Sequence, residues 1–175
     1  EQYHYILNEI NKLQELKSPG VIEIFHSEIV KVKEDESKVI IVTEKMDGSL
    51  SQLIAKEKGF GEEEGIKIMY QIVMTYYEYI YKREVMHRDI KPDNILFNRL
   101  EEGGYLFKIG DFGLLKSIEG EKHTRGFGTI GYVSPEQGLF GDGYYTNKTD
   151  VYSMGHVFFE LLMGKHLDSL KQKES

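Results

Sequence analysis

The sequence contains no cysteine and no tryptophan, and only 3 prolines in 175 residues. Without cysteine there are no disulfides and no thiolate metal sites, a composition that fits a reducing compartment. Basic residues are also scarce: Lys+Arg 22 stand against Asp+Glu 29, for a net charge of −7. That balance argues against a nucleic-acid partner or an anionic membrane surface, either of which would want a basic patch. No apolar run reaches bilayer length, and the longest, residues 157–163, is broken by Glu160. No basic segment followed by an apolar stretch opens the chain, so no signal peptide is expected. The resulting expectation is a soluble, cytoplasmic chain with no membrane or nucleic-acid partner. What is present is ample core material, with 40% hydrophobic and 12% aromatic residues. That suits one ordinary domain or a piece of a larger one.

Residues 1–17 carry Ile6, Ile10, Leu13 and Leu16 at helical spacing, and Ser18-Pro19-Gly20 ends that helix. Residues 21–32 are β-branched and partly alternating, residues 33–38 form a charged turn, and residues 39–43 read as a buried strand. Residues 44–49 are a polar stretch with Asp47-Gly48 as a turn, followed by a short helix over 50–55 that ends before Gly59. From Glu62 a helix is expected to about Lys82, with Ile66, Met69, Val73, Tyr76 and Ile80 on its buried face. Glu62, Glu63 and Glu64 sit in its first turn, where the helix dipole favours them. Its tyrosines at 76, 77, 79 and 81 read as packing and rim residues rather than a base-stacking platform. Residues 95–98 and 105–109 are expected strands of a hairpin around Glu101-Glu102-Gly103-Gly104. Residues 114–134 read as an irregular glycine-rich loop, and residues 148–163 as a helix apolar on most faces.

The chemistry is concentrated in His87-Arg88-Asp89-Ile90-Lys91-Pro92-Asp93-Asn94, followed 17 residues after Asn94 by Asp111-Phe112-Gly113. Asp89 can accept a proton from a hydroxyl nucleophile, and Lys91 can reach a transferring phosphate. Asn94 and Asp111 offer oxygen ligands suited to Mg²⁺. These runs resemble the catalytic loop and metal-binding triplet of eukaryotic-type protein kinases in order and spacing. Lysine at position 91 resembles the serine/threonine-specific branch.

The resemblance implies an α+β, protein-kinase-like, two-lobe fold: a partial small lobe at 1–43, a hinge at 44–49 and a partial, mostly helical large lobe at 50–175. It implies ATP and Mg²⁺ as cofactors and a protein substrate with a serine or threonine acceptor. Asp89, Lys91, Asn94 and Thr129 are then the catalytic set, with Thr129 bridging Asp89 and Lys91. Asn94 and Asp111 hold the metal. Glu44, Met46 and Leu96 join Asp111 in holding the nucleotide, with Leu96 beneath the adenine. His87 and Phe112 stack in a hydrophobic spine with Leu13 and Ile24. Asp150 holds the catalytic-loop backbone. Gly128 to Glu136 resembles the segment that receives the substrate peptide, with Ser134 where alanine is usual. Four positions are implied to regulate: Glu9 as the lysine-pairing carboxylate, Thr43 as gatekeeper, Arg88 as receiver of an activation-loop phosphate, and Thr124 as its site ahead of Ser117 and Thr129.

No GxGxxG precedes Glu1, no strand lysine is present for Glu9, and the arginine that normally pairs with Glu136 has no counterpart. The chain therefore reads as a truncated kinase domain, itself weakly active or inactive for want of the nucleotide's roof. The alternative is a pseudokinase or docking module, against which intact Asp89, Asn94 and Asp111 argue; a non-functional gene fragment is the third reading. Lys108-Ile109-Gly110, Thr124-Arg125 and Ser134-Pro135-Glu136-Gln137 resemble the kinases of the translation initiation factor 2 alpha subunit.

Overall fold

The computed structural model describes residues 18–33, 36–110, 116–117, 128–137, 146–167 and 169. The expected helix over 1–17, with Glu9 and Leu13, lies outside them, as do Asp111, Phe112 and Thr124. The first elements among the described residues are two strands, β1 (Ile24–Lys33) and β2 (Glu36–Thr43), paired antiparallel from Ile24↔Thr43 to Lys33↔Glu36. The expected six-residue charged turn is therefore shorter, because Lys33 and residues 36–38 all enter the ladder. The expected burial of β2 does not hold: Ile40, Ile41 and Val42 are 43%, 44% and 45% exposed. β-branched residues favour the pleated backbone, but they do not report what covers it.

A second sheet has the order β3 (Gly48–Ser49), β5 (Ile95–Arg99), β6 (Tyr105–Ile109). Asp47-Gly48 is not a turn. Asp47 N–H donates to the Phe97 carbonyl at 3.0 Å, and the Asp47 carboxylate accepts from Arg99 N–H at 2.8 Å. Those bonds draw the segment alongside β5. Alternation along the hairpin buries Ile95, Phe97, Phe107 and Ile109 on one face, each at most 4% exposed. Val21 makes a parallel bridge to Ile109, fastened by Ile109 N–H to the Gly20 carbonyl at 2.9 Å. The segment entering β1 is thereby tied to the second sheet.

Ser49 caps α1 (Leu50–Glu57) in a reciprocal box with Gln52, and Lys58 ends the helix in a left-handed conformation. α2 (Glu62–Tyr79) buries Gly65, Ile68, Met69, Ile72, Thr75 and Tyr76. Ile66 and Val73 are instead 51% and 40% exposed, since small Gly65 and polar Thr75 belong to the core face that an apolar count overlooks. The helix stops at Tyr79, short of Lys82, and a 3-10 turn follows at Tyr81–Arg83. The Arg83 guanidinium donates to the carbonyls of Glu78 and Tyr79, satisfying terminal acceptors that a longer helix would have paired. Short β4 (Val85–Met86) pairs with β7 (Lys116–Ser117), an interruption of the expected irregular loop. α3 (Lys148–Met163) has the expected bounds and buries Met154, Val157 and Leu161, though Val151 is 58% exposed.

α1, α2, α3 and the β5–β6 hairpin share one apolar cluster, in which each fully buried Leu or Ile contributes roughly 1.5–3 kcal/mol. Among the described residues no helix is long and apolar enough to cross a membrane. α3 ends at Gly164, at φ 68, where an added Cβ would lie 2.2 Å from the Lys58 carbonyl oxygen. Backbone conformation and space both demand glycine there. Gly164→Ala is expected to lower unfolding stability by about 2 kcal/mol or more, read by denaturant titration; a change within about 0.5 kcal/mol would contradict this packing.

Candidate active site

Met86 and Ile90, both fully buried, pin the chain on either side of His87-Arg88-Asp89. Between them the backbone is held by Asp150, from the first turn of α3 and itself fully buried. One carboxylate oxygen accepts from His87 N–H and from the Tyr76 hydroxyl, each at 2.8 Å; the other accepts from Arg88 N–H at 2.8 Å. A buried carboxylate is tolerable only when its oxygens are so occupied, and the positive end of α3 helps. Burial first, then the negative charge of Asp150 and the hydrogen bond to it, push the Tyr76 phenol well above the ordinary tyrosine range. The hydroxyl therefore remains a donor. Helical spacing alone makes Tyr76 a packing residue, and nothing in that spacing marks its hydroxyl as the donor to Asp150.

His87 is fully buried, and its Nε2 lies 2.9 Å from the Gly110 carbonyl. A carbonyl can only accept, so Nε2 carries the proton, and Nδ1 accepts from Asp89 N–H at 3.4 Å. Gly110 N–H donates to the Asn94 carbonyl at 2.8 Å. The residue preceding Asp111 is thus fastened on both sides to the loop that carries Asp89 and Asn94.

Four polar side chains converge here. The Thr129 hydroxyl donates to Asp89 Oδ1 at 2.7 Å and accepts from Lys91 Nζ at 2.7 Å, while Thr129 N–H donates to the same Oδ1 at 2.9 Å. Lys91 Nζ stands 3.0 Å from Asp89 Oδ2. Asn94 spends its amide N–H₂ on Asp89, at 2.8 Å to the carbonyl and 3.1 Å to Oδ2. Its side-chain oxygen is left as the group open to a hard cation, so Asn94 fits a magnesium ligand. Burial alone would raise the Asp89 pKa; hydrogen bonds from Thr129 and Lys91, the Lys91 charge and the Asn94 amide outweigh it. The carboxyl sits below the ordinary range and is ionised near neutrality.

The remaining sequence-derived positions are less concentrated. Glu44 Oε1 accepts from Lys108 Nζ at 2.6 Å and from Glu23 N–H at 2.8 Å, so its carboxylate is engaged within the fold. Met46 is half-buried; Leu96 is half-buried on β5, opposite Ser49 and Lys108. Thr43 ends β2 opposite Ile24 and is exposed. Arg88 is 4% exposed and adopts φ 70. Glu136, whose carboxylate was expected to lack a partner, accepts from the Thr149 hydroxyl at 3.3 Å. The Ser153 hydroxyl donates to the Tyr132 carbonyl at 2.8 Å, seating the segment around Thr129 on α3.

The loop pinned by Asp150 carries Asp89, Lys91 and Asn94, and Thr129 joins them in one polar cluster. Residues 1–175 match the family model described as the protein kinase domain, and the chain belongs to that family. Its fold is the α+β protein-kinase fold. Among curated relatives it is 32% identical over 162 residues to serine/threonine-protein kinase DCLK2 of Rattus norvegicus, covering 92% of this chain and 20% of that protein. It is 34% identical over 169 residues to mitogen-activated protein kinase 20 of Arabidopsis thaliana, covering 93% and 27% respectively. The chain thus spans about a fifth to a quarter of these relatives. Among solved structures it resembles a chain of the yeast RNA Pol II CTD kinase CTDK-1 complex, with TM-score 0.73 and 26% identity. That match covers 92% of this chain and 50% of the other. These relatives do not support the translation initiation factor 2 branch.

Because the folded-state pKa of Asp89 is depressed, its contribution to stability is present above the ordinary value of 3.8 and is lost as pH falls through the lower native value. The stability gap between the wild type and Asp89→Asn is expected to be constant near neutrality and to shrink below pH 3.8. Parallel denaturation profiles of the two proteins through that window would contradict the assignment.

Proposed function

We propose that this chain is part of an ATP-dependent serine/threonine protein kinase. The observation that carries the reading is the joint hydrogen bonding of Asp89 by Thr129, Lys91 and Asn94. In that role Asp89 orients the substrate hydroxyl and takes its proton. Lys91 stabilises charge spreading over the transferring group, and Thr129 keeps the two side chains in register. Asn94 and Asp111 would hold Mg²⁺, which with ATP supplies the phosphoryl group and offsets its charge. Glu44 and Met46 line the hinge, and Leu96 lies under the base. Glu9, Thr43, Arg88 and Thr124 are the positions at which activity is regulated. Acceptance of a serine or threonine protein substrate is supported by Lys91 with Thr129 and by the names of the relatives.

In the full-length protein, Asp89→Asn is expected to retain nucleotide affinity and to lose phosphoryl transfer by about 10²–10⁴-fold in kcat. Undiminished transfer would remove Asp89 from this role. Thr124→Ala is expected to abolish phosphate incorporation at that position and to lower activity, because Arg88 then has no phosphate to bind. Mass spectrometry of the activated protein decides the first point and a peptide assay the second.

A further inference from the structure

Arg88 occupies a left-handed conformation, φ 70, which costs a non-glycine residue roughly 1–2 kcal/mol and must be imposed by its surroundings. Its N–H is held by Asp150. Its carbonyl accepts from Gln137 Nε2 at 2.8 Å. Gln137 is 1% exposed, and its Oε1 is buried without a hydrogen-bond partner among the described residues. A stranded acceptor costs about 1–3 kcal/mol, so glutamine is a poor way merely to fill this space; methionine would fill it without that penalty. Only the amide N–H₂, which methionine lacks, gives glutamine a bond to set against that penalty. Gly128, at φ 112, lies against the same bond. An added Cβ there would be 3.2 Å from both the Arg88 oxygen and Gln137 Nε2. Gly128 and Gln137 bracket the segment that also presents Thr129 to Asp89.

We propose that Gln137 is a positioning residue: its hydrogen bond to the Arg88 carbonyl couples the seating of residues 128–137 to the alignment of Asp89. The proposal rests on the kinase reading above and adds to it a latch between the peptide-receiving segment and the catalytic loop. One end of the strained residue is fixed by α3 and the other by that segment. A shift of the segment releases Arg88, and Asp89 beside it loses its orientation.

The test uses the full-length protein with Gln137→Met and Gln137→Glu. Gln137→Met is expected to lower kcat on the order of ten- to a hundred-fold with nucleotide KM unchanged. Its melting temperature should stay close to that of the wild type, since one stranded acceptor, Gln137 Oε1, is removed while the Arg88 carbonyl loses its Gln137 donor in exchange. Gln137→Glu presents a carboxylate to a carbonyl at neutral pH but a donor when protonated, so its rate relative to the wild type should rise as pH falls. Hydrogen exchange at the Arg88 and Thr129 amides provides a readout that needs no catalysis. It should quicken about five- to tenfold in Gln137→Met, matching one lost hydrogen bond, while α2 amides stay unchanged. Wild-type kcat in Gln137→Met, or unaltered exchange, overturns the latch. A wild-type protein that transfers no phosphate defeats the kinase reading instead, and the exchange result then decides the latch alone.

Discussion

A fully buried carboxylate at the start of α3 governs the geometry of this domain. Asp150 is wholly removed from water and would be untenable there without donors. The fold supplies them from α2 and from two consecutive backbone amides of the catalytic loop. Each donor gives up water to make its bond, so the arrangement is stable only as a whole. The helix, the loop and the tyrosine must assemble together. That mutual dependence converts hydrophobic packing of α2 on α3 into a fixed backbone position for Asp89.

From this anchor the polar network spreads outward in one direction. His87 reaches Gly110, Asn94 reaches the same residue from the other side, and the loop is thereby closed onto the β5–β6 hairpin. Asp89 gathers Thr129, Lys91 and Asn94 around a carboxylate that stays charged despite partial burial. Phosphoryl transfer demands little covalent participation from a protein and much positional constraint. On the proposed reading, the polar bonds around Asp89 supply that constraint.

The polar cluster at residues 87–94 was legible in the sequence because it is local: acid, cation and amide lie close along the chain and meet in the fold. The bridging of Asp89 and Lys91 by Thr129, and the hold of Asp150 on the loop, followed from the family resemblance. Helix bounds at 148–163 were legible because Gly164 ends an apolar period abruptly. Tyr76 was not legible as a donor, since helical spacing counts it among the apolar positions. Gln137 enters the sequence reading only as the last residue of Ser134-Pro135-Glu136-Gln137, and nothing there marks its amide as a donor to the Arg88 carbonyl. Exposure of Ile40, Ile41 and Val42 could not be foreseen, because strand composition describes the backbone rather than its neighbours. Asp47-Gly48 has turn-forming residues, yet long-range pairing with β5 overrode the local preference.

The central claim is that Asp89 and Asn94 stand beside the metal of a bound nucleotide. Manganese accepts the oxygen ligands that suit magnesium and broadens nuclear resonances in its vicinity. Titrated with ATP into the full-length kinase, it should broaden the Asn94 side-chain amide and the Asp89 signals at substoichiometric amounts, leaving those of Lys67 and Tyr70 on α2 sharp. Broadening centred elsewhere, with Asn94 untouched at saturating nucleotide, would contradict it.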